Sequence, residues 1–391
     1  MTMESELPKE TNMVDTAKPA EPIAASGDAR WDTPTAYQEW MLAQKLPIHK
    51  GFFVPDGRTV ELGWWEARQC NAAFLELNGL EGVSEIRVTE IPPGKSLPPM
   101  CFAMDEVAYV LDGRGLTTLT WADGTKHTFE WDKTSMFRLP RNCTYELSNA
   151  QGNQAARIVT NNYLPLAMST TGDLKPFFKE PFSGDAMPPG ESEVLSEAKA
   201  VHQDLDDGGV GTGVFWYGNF FPNMANWDHL LPFTTRGAGG SVVWMRFPES
   251  PLTAHMSVFP AQTYKKGHRH GAGWVLVIPR GEGYSIMWPE GQDKVIVPWH
   301  EGTIFVPPGR WFHQHFNLGA EPARYVALHP PMFLSGFSEK IEDMARDQIE
   351  YPNEDPMVRE RFETELAQRG MKSLMPADAY GDRQYQWSYA R

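Results

Sequence analysis

Cysteine is nearly absent. The 391 residues hold three, Cys70, Cys101 and Cys143. Their odd number and wide spacing exclude a disulfide framework and a zinc-finger arrangement. No apolar run approaches the ~20 residues of a membrane-spanning helix. Positive charge is also scarce: 35 Lys and Arg face 50 Asp and Glu, for a formal net charge of -15. A nucleic-acid partner wants a basic face, so none is expected. A small anionic substrate stays open, because a pocket can be locally positive. Residues 1–30 are polar, rich in Glu, Pro and Ala, and lack the apolar core of a signal peptide. They read as a disordered leader on a soluble, cytoplasmic protein.

What is present is a repeated β pattern, in a chain long enough for two domains. A short helix is expected over about Thr33–Leu46, with Thr33 as N-cap, Pro34 at the first position, and Tyr37, Trp40 and Met41 on one face. Short β-like runs follow, such as Ser84–Glu90, Val107–Leu111 and Leu116–Trp121, separated by turn pairs such as Pro93-Gly94 and Asp112-Gly113. After a less regular stretch over about Ser169–Gly213, the pattern returns at Ser241. The two stretches align with a constant offset of 168. Asp112-Gly113-Arg114-Gly115 falls on Arg280-Gly281-Glu282-Gly283, Phe137 and Pro140 fall on Phe305 and Pro308, and Asn149 falls on Asn317. One slip then brings Ala156-Arg157 onto Ala323-Arg324. The chain therefore divides into a first β unit (31–168), a connection (169–240), a second copy (241–334) and a helical extension (335–391). In the extension, Phe337, Ile341 and Met344 share one helical face. A second helix starts at Asp355-Pro356, carries Val358, Phe362 and Leu366, and stops at Gly370.

Seven of the eleven histidines lie between His255 and His329. On a strand, residues i and i+2 face the same way. His268 with His270, and His313 with His315, can thus point together into a barrel. Neutral imidazole is a common ligand for divalent transition metals.

These segments resemble the cupin superfamily. His268 and His270 match its first-motif histidines and Gly281 the closing glycine. Gly302, Pro307, Gly309, His313 and Asn317 match the second motif, with one extra residue before His313. Gln262 stands where the first motif opens on glycine, and Trp274 stands at the family's glutamate ligand. The resemblance implies an all-β fold of two tandem cupin (jelly-roll) barrels with a short N-terminal helix and C-terminal helices. It also implies a metal site reduced to His268, His270 and His313. At the same offset the first copy has Met100, Phe102 and Tyr145 instead. None replaces an imidazole, so that barrel reads as structural. Glu106 keeps the family's glutamate position, as a remnant bonded to Tyr145 or as part of a metal-free pocket.

Three imidazoles leave up to three positions open on an octahedral metal, which suits a substrate chelating through two oxygens together with dioxygen. The His-x-His pairs also resemble the gentisate and salicylate dioxygenase branch, whose iron sits in the N-terminal barrel rather than the C-terminal one. The expectation is an Fe(II) dioxygenase acting on a hydroxylated aromatic acid or an enolisable diketone, as a homo-oligomer. Alternatives are a Mn, Zn or Ni cupin isomerase, decarboxylase, lyase or hydrolase that needs no dioxygen, and a non-enzymatic metal- or ligand-binding bicupin. Trp274 is expected to point inward, as an aromatic wall or as a plug. His315 is a hydrogen-bond or acid–base candidate or a core residue. Arg310 would grip a carboxylate or face solvent. Lys265, Lys266 and Arg280 read as surface charges, and nothing assigns a role to His255 or His329.

Overall fold

The computed structural model describes residues 34–171, 175–178, 197–202, 214–228, 230–331, 334 and 341–389. The leader, residues 172–174, 179–196, 203–213 and 229 of the connection, and the helical face through Phe337, Ile341 and Met344 lie outside the described residues or side chains. Among the described residues no helix is long and apolar enough to cross a membrane.

The architecture is two tandem β-barrels, each made of a larger and a smaller sheet. In the first barrel the smaller sheet orders Met100–Cys101, Thr144–Asn149, Arg114–Thr120 and Lys126–Asp132. In the second it orders Val295–His300, Glu282–Trp288, Phe312–Asn317 and Gly267–His268. The offset of 168 survives as geometry. Strands Glu85–Ile91 and Thr253–Phe259 correspond residue by residue, as do Arg114–Thr120 and Glu282–Trp288, and Thr144–Asn149 and Phe312–Asn317. Ala156–Asn162 and Ala323–His329 correspond after the slip. Equivalent hydrogen bonds follow. Asn149 donates to the Pro92 carbonyl at 3.3 Å, and Asn317 to that of Pro260 at 3.0 Å. Trp131 donates to Thr117 at 3.0 Å, and Trp299 to Ser285 at 3.1 Å. Gly113 and Gly281 both take positive φ, +91° and +109°, and a Cβ on either would strike Ala156 or Ala323 at 2.7 Å.

The larger sheets of the two barrels share one apolar core, with Val88, Val107 and Val159 on one side and Met256, Val277 and Val326 on the other. Short strands cross between them. Phe53–Val54 pairs with Ile304–Phe305 of the second barrel, and Phe220–Phe221 pairs with Met136 and Phe137 of the first.

The first barrel keeps a cavity of about 20 Å³, lined by Arg68, Arg87 and Tyr145, but the charged groups beside it are bonded to one another. Arg87 donates to Glu106 at 2.9 Å and is paired with Glu85. Glu106 also accepts from Tyr145 at 2.6 Å and Asn162 at 3.0 Å. Phe102 is buried and stacks on Phe178. Burial pushes the Glu85 carboxyl above its usual range.

At the N-terminus the helix is Ala36–Ala43, and its cap is Thr35 rather than Thr33. Gln38 closes a capping box on Thr35, which fixes the helix start two residues later than the Thr-Pro pair suggested. At the other end, Asp355 caps Pro356–Gln368, whose buried Val358, Phe362 and Leu366 cover the outer face of the second barrel's smaller sheet beside Tyr264 and Phe316. Just before it, Glu354 accepts from Tyr264 and from Gln314.

Two outcomes follow. Arg87→Met strands two buried carboxylates and should cost about 3–5 kcal/mol in urea unfolding. Burial raises the Glu354 carboxyl to about 7, from an ordinary value of 4.5. The folded chain then holds a proton that the unfolded chain releases, so stability should fall as pH rises from 4.5 to about 7. Glu354→Gln should remove that part of the slope.

Candidate metal centre

His268 and His313 are direct antiparallel partners across the smaller sheet. His270 follows two residues after His268 and lies against both, its ring 4.7 Å from that of His313. One nitrogen from each of the three lies within 4.8 Å of the others, and all three residues are buried. Their Nδ1 atoms are already engaged, by the carbonyls of Lys266 at 3.2 Å, Gly271 at 2.8 Å and Trp311 at 3.2 Å. A carbonyl only accepts, so each Nδ1 carries the proton and each Nε2 presents a lone pair. Burial holds His268 and His313 well below the usual imidazole range and His270 at about 4. Three neutral, pre-oriented donors fit a divalent transition metal on chemistry alone.

Trp274 packs beside the triad. Its indole stacks on His270 at 4.2 Å and meets His329 at 4.0 Å. His315 faces the same interior with the opposite hydrogen-bond polarity. Ser285 Oγ accepts from Trp299, and its own proton goes to His315 Nδ1 at 2.8 Å. When the Ser285 hydroxyl donates in this way, Nε2 of His315 carries a hydrogen and is a donor to the cavity rather than a ligand.

The cavity itself is small. About 20 Å³ is free, room for roughly one water. Phe233, Trp244 and Leu276 close it with the histidines, and Arg236 is its one lining cation among the described residues. No acidic side chain lines it among the described residues. Arg236 is buried, is held by Gln348 of the C-terminal segment, and accepts from Lys266 N through its carbonyl at 3.0 Å. Arg310 lies elsewhere: it is exposed, ion-paired with Asp347 at 3.2 Å, and does not line the cavity.

Three residues sit where the sequence did not place them. Lys265 is not a surface charge; its exposure is 0%. Lys265 N bonds the His315 carbonyl at 3.1 Å, which turns the side chain inward against Ser257, Tyr325 and Phe233. Burial pushes its amine well below the usual lysine range. His255 and His329 are buried, hydrogen-bonded to each other, and beside Trp274; His255 lines the cavity. Lys266 is half-buried on Glu350, and Arg280 is exposed.

No family model matches the chain, and no curated protein is similar to it in sequence. Solved structures that align with it include the oxalate decarboxylase of Lactobacillus farciminis in a formate complex. It is 13% identical, with 73% of this chain and 88% of that one covered and a TM-score of 0.47. A Bacillus subtilis oxalate decarboxylase studied for its Mn(II) centres is 10% identical, with 86% and 88% covered and a TM-score of 0.47. At these values the likeness carries neither a residue role nor a reaction to this chain.

Trp274→Ala should cost about 3–5 kcal/mol in chemical unfolding, because a stacked indole leaves a void among rigid rings. Arg310→Ala, which breaks an exposed pair, should cost less than about 1 kcal/mol.

Proposed function

We propose that this chain is a metal-dependent cupin enzyme. His268, His270 and His313 hold one divalent metal, and a small, oxygen-chelating anion is the substrate. The observation that carries the reading is the convergence of three neutral Nε2 donors in a cavity with no acidic lining residue among those described. Neutral ligands leave the metal's charge uncompensated, and Arg236 adds to it, so an anion is the guest the cavity favours. A bound metal supplies Lewis acidity and, as Fe(II), the capacity for dioxygen chemistry.

The chain's own residues do the rest. Arg236 orients a carboxylate or enolate oxygen, His315 donates a hydrogen bond, and Trp274 walls off the side where a glutamate would stand. The narrow cavity favours a compact acid or diketone enolate over an aromatic acid. Fe(II) dioxygenation is the leading reaction. A non-oxidative Mn, Zn or Ni lyase or decarboxylase is the second reading, favoured by the imidazoles of His315 and His255 that line the cavity beside the metal site.

The test is anaerobic loading with Fe(II) or Mn(II), followed by oxygen uptake and carbon dioxide release with acetylacetone, gentisate, salicylate and oxalate. Substrate-dependent oxygen uptake that vanishes in His268→Ala and His313→Ala supports the first reading. Anaerobic turnover supports the second. A fully loaded protein inert to all four in both assays contradicts the proposed substrate class.

A further inference from the structure

A chain of three polar groups crosses the second barrel beside the histidine triad. His255 Nδ1 meets His329 Nε2 at 2.7 Å, and His329 Nδ1 meets Thr253 Oγ1 at 2.8 Å. The sheet register builds it. Thr253 pairs directly with His329 across two strands, and His255 sits two residues on, on the same face. All three residues are buried. Trp244 at 5.0 Å, Tyr325 at 5.7 Å and Trp274 at 6.0 Å fix the plane of the His255 ring. With Nδ1 committed to His329, Nε2 is the edge that His255 has left for a guest in the cavity it lines.

The first barrel shows what a structural version of this cluster looks like. Glu85, Arg87 and Asn162 occupy the positions of Thr253, His255 and His329. They form an ionic knot with Glu106 that binds its members to one another. The second barrel replaces that knot with two imidazoles and a hydroxyl, each able both to give and to accept a proton.

We propose that His255 is the proton-transfer residue of this cavity and that His329, itself held by Thr253, positions it. The identity of the guest rests on the metal-enzyme reading; the geometry of the chain does not. In one setting His255 Nδ1–H donates to His329 Nε2, His329 Nδ1–H donates to Thr253, and His255 Nε2 is bare. It then accepts a proton from a guest O–H, the resulting charge is shared with His329, and return of that proton to the product restores both rings. In the other setting Thr253 donates to His329 Nδ1, His329 Nε2–H donates to His255 Nδ1, and His255 Nε2–H donates to an anionic guest. The two rings change tautomer together.

Nitrogen-15 NMR of histidine-labelled full-length protein tests this, both metal-free and loaded with diamagnetic Zn(II), with formate as the probe anion. A hydrogen-bonded, exchange-protected N–H proton shared by His255 and His329 is expected in both forms. Formate should convert His255 Nε2 and His329 Nε2 to the protonated type in concert. His329→Gln should abolish that concerted change and, like His255→Gln, weaken formate about tenfold, with zinc content and Tm kept. Absence of the shared proton from the metal-free protein, or formate bound equally well by His255→Gln with no change at His329, overturns the proposal. Failure to load zinc counts instead against the metal centre, and the metal-free spectrum still decides the relay.

Discussion

The desolvation of polar groups inside a narrow β-barrel is the constraint from which the rest of this structure follows. A buried charge costs several kcal/mol unless it is paired, and a buried polar group must be hydrogen-bonded. The two barrels share strands, register and turn glycines, yet meet this constraint in opposite ways. The first pairs its charged groups with one another, with Arg87 between Glu85 and Glu106, burial favouring the proton-bearing form of Glu85, and Tyr145 closing on Glu106. The second keeps its interior imidazoles neutral, with Nδ1 of each triad histidine on a carbonyl. A self-balanced interior has no call for a cation. An interior of neutral lone pairs does, and a cation there in turn calls for an anionic guest.

The substitution at one pair of positions illustrates the divergence. Glu106 and Trp274 are equivalent residues. The carboxylate ties Arg87, Asn162 and Tyr145 into one network. The indole offers no acceptor, so it stacks between His270 and His329 and couples the triad to the Thr253–His329–His255 chain through packing. The rings of His255, His268, His270, Trp274, His313 and His329 pack on one another around this point, which is what holds the unpaired lone pairs in a converging arrangement before any ion arrives.

Much of this was legible in the sequence because strand periodicity is local. The repeat at offset 168 and the inward-facing His268, His270, His313 and His315 follow from alternation and turn chemistry, and the paired barrels were what the family resemblance implied. The helix closed by Asp355 and Gly370 followed from cap chemistry, and the Tyr145–Glu106 contact was one of two readings of the glutamate position that the resemblance assigns. What was not legible depends on pairing between distant strands or on the irregular connection. His255 and His329 acquire meaning only through the Thr253–His329 register. Lys265 reads as a surface charge until its backbone bond to His315 turns it inward. Arg236 comes from the connection, where no period marks a residue as facing the cavity. Arg310 sits on the turn before His313, where a positive φ of 65° and Asp347 carry its side chain outward.

The central claim is that one barrel holds a metal and the other cannot. Elemental analysis of protein purified without a histidine tag, alongside His313→Ala and Arg87→Met, reads this directly. The account predicts about one divalent metal per chain, lost in His313→Ala and kept in whatever Arg87→Met protein remains folded. Two metals per chain, or one that persists in His313→Ala, would contradict it.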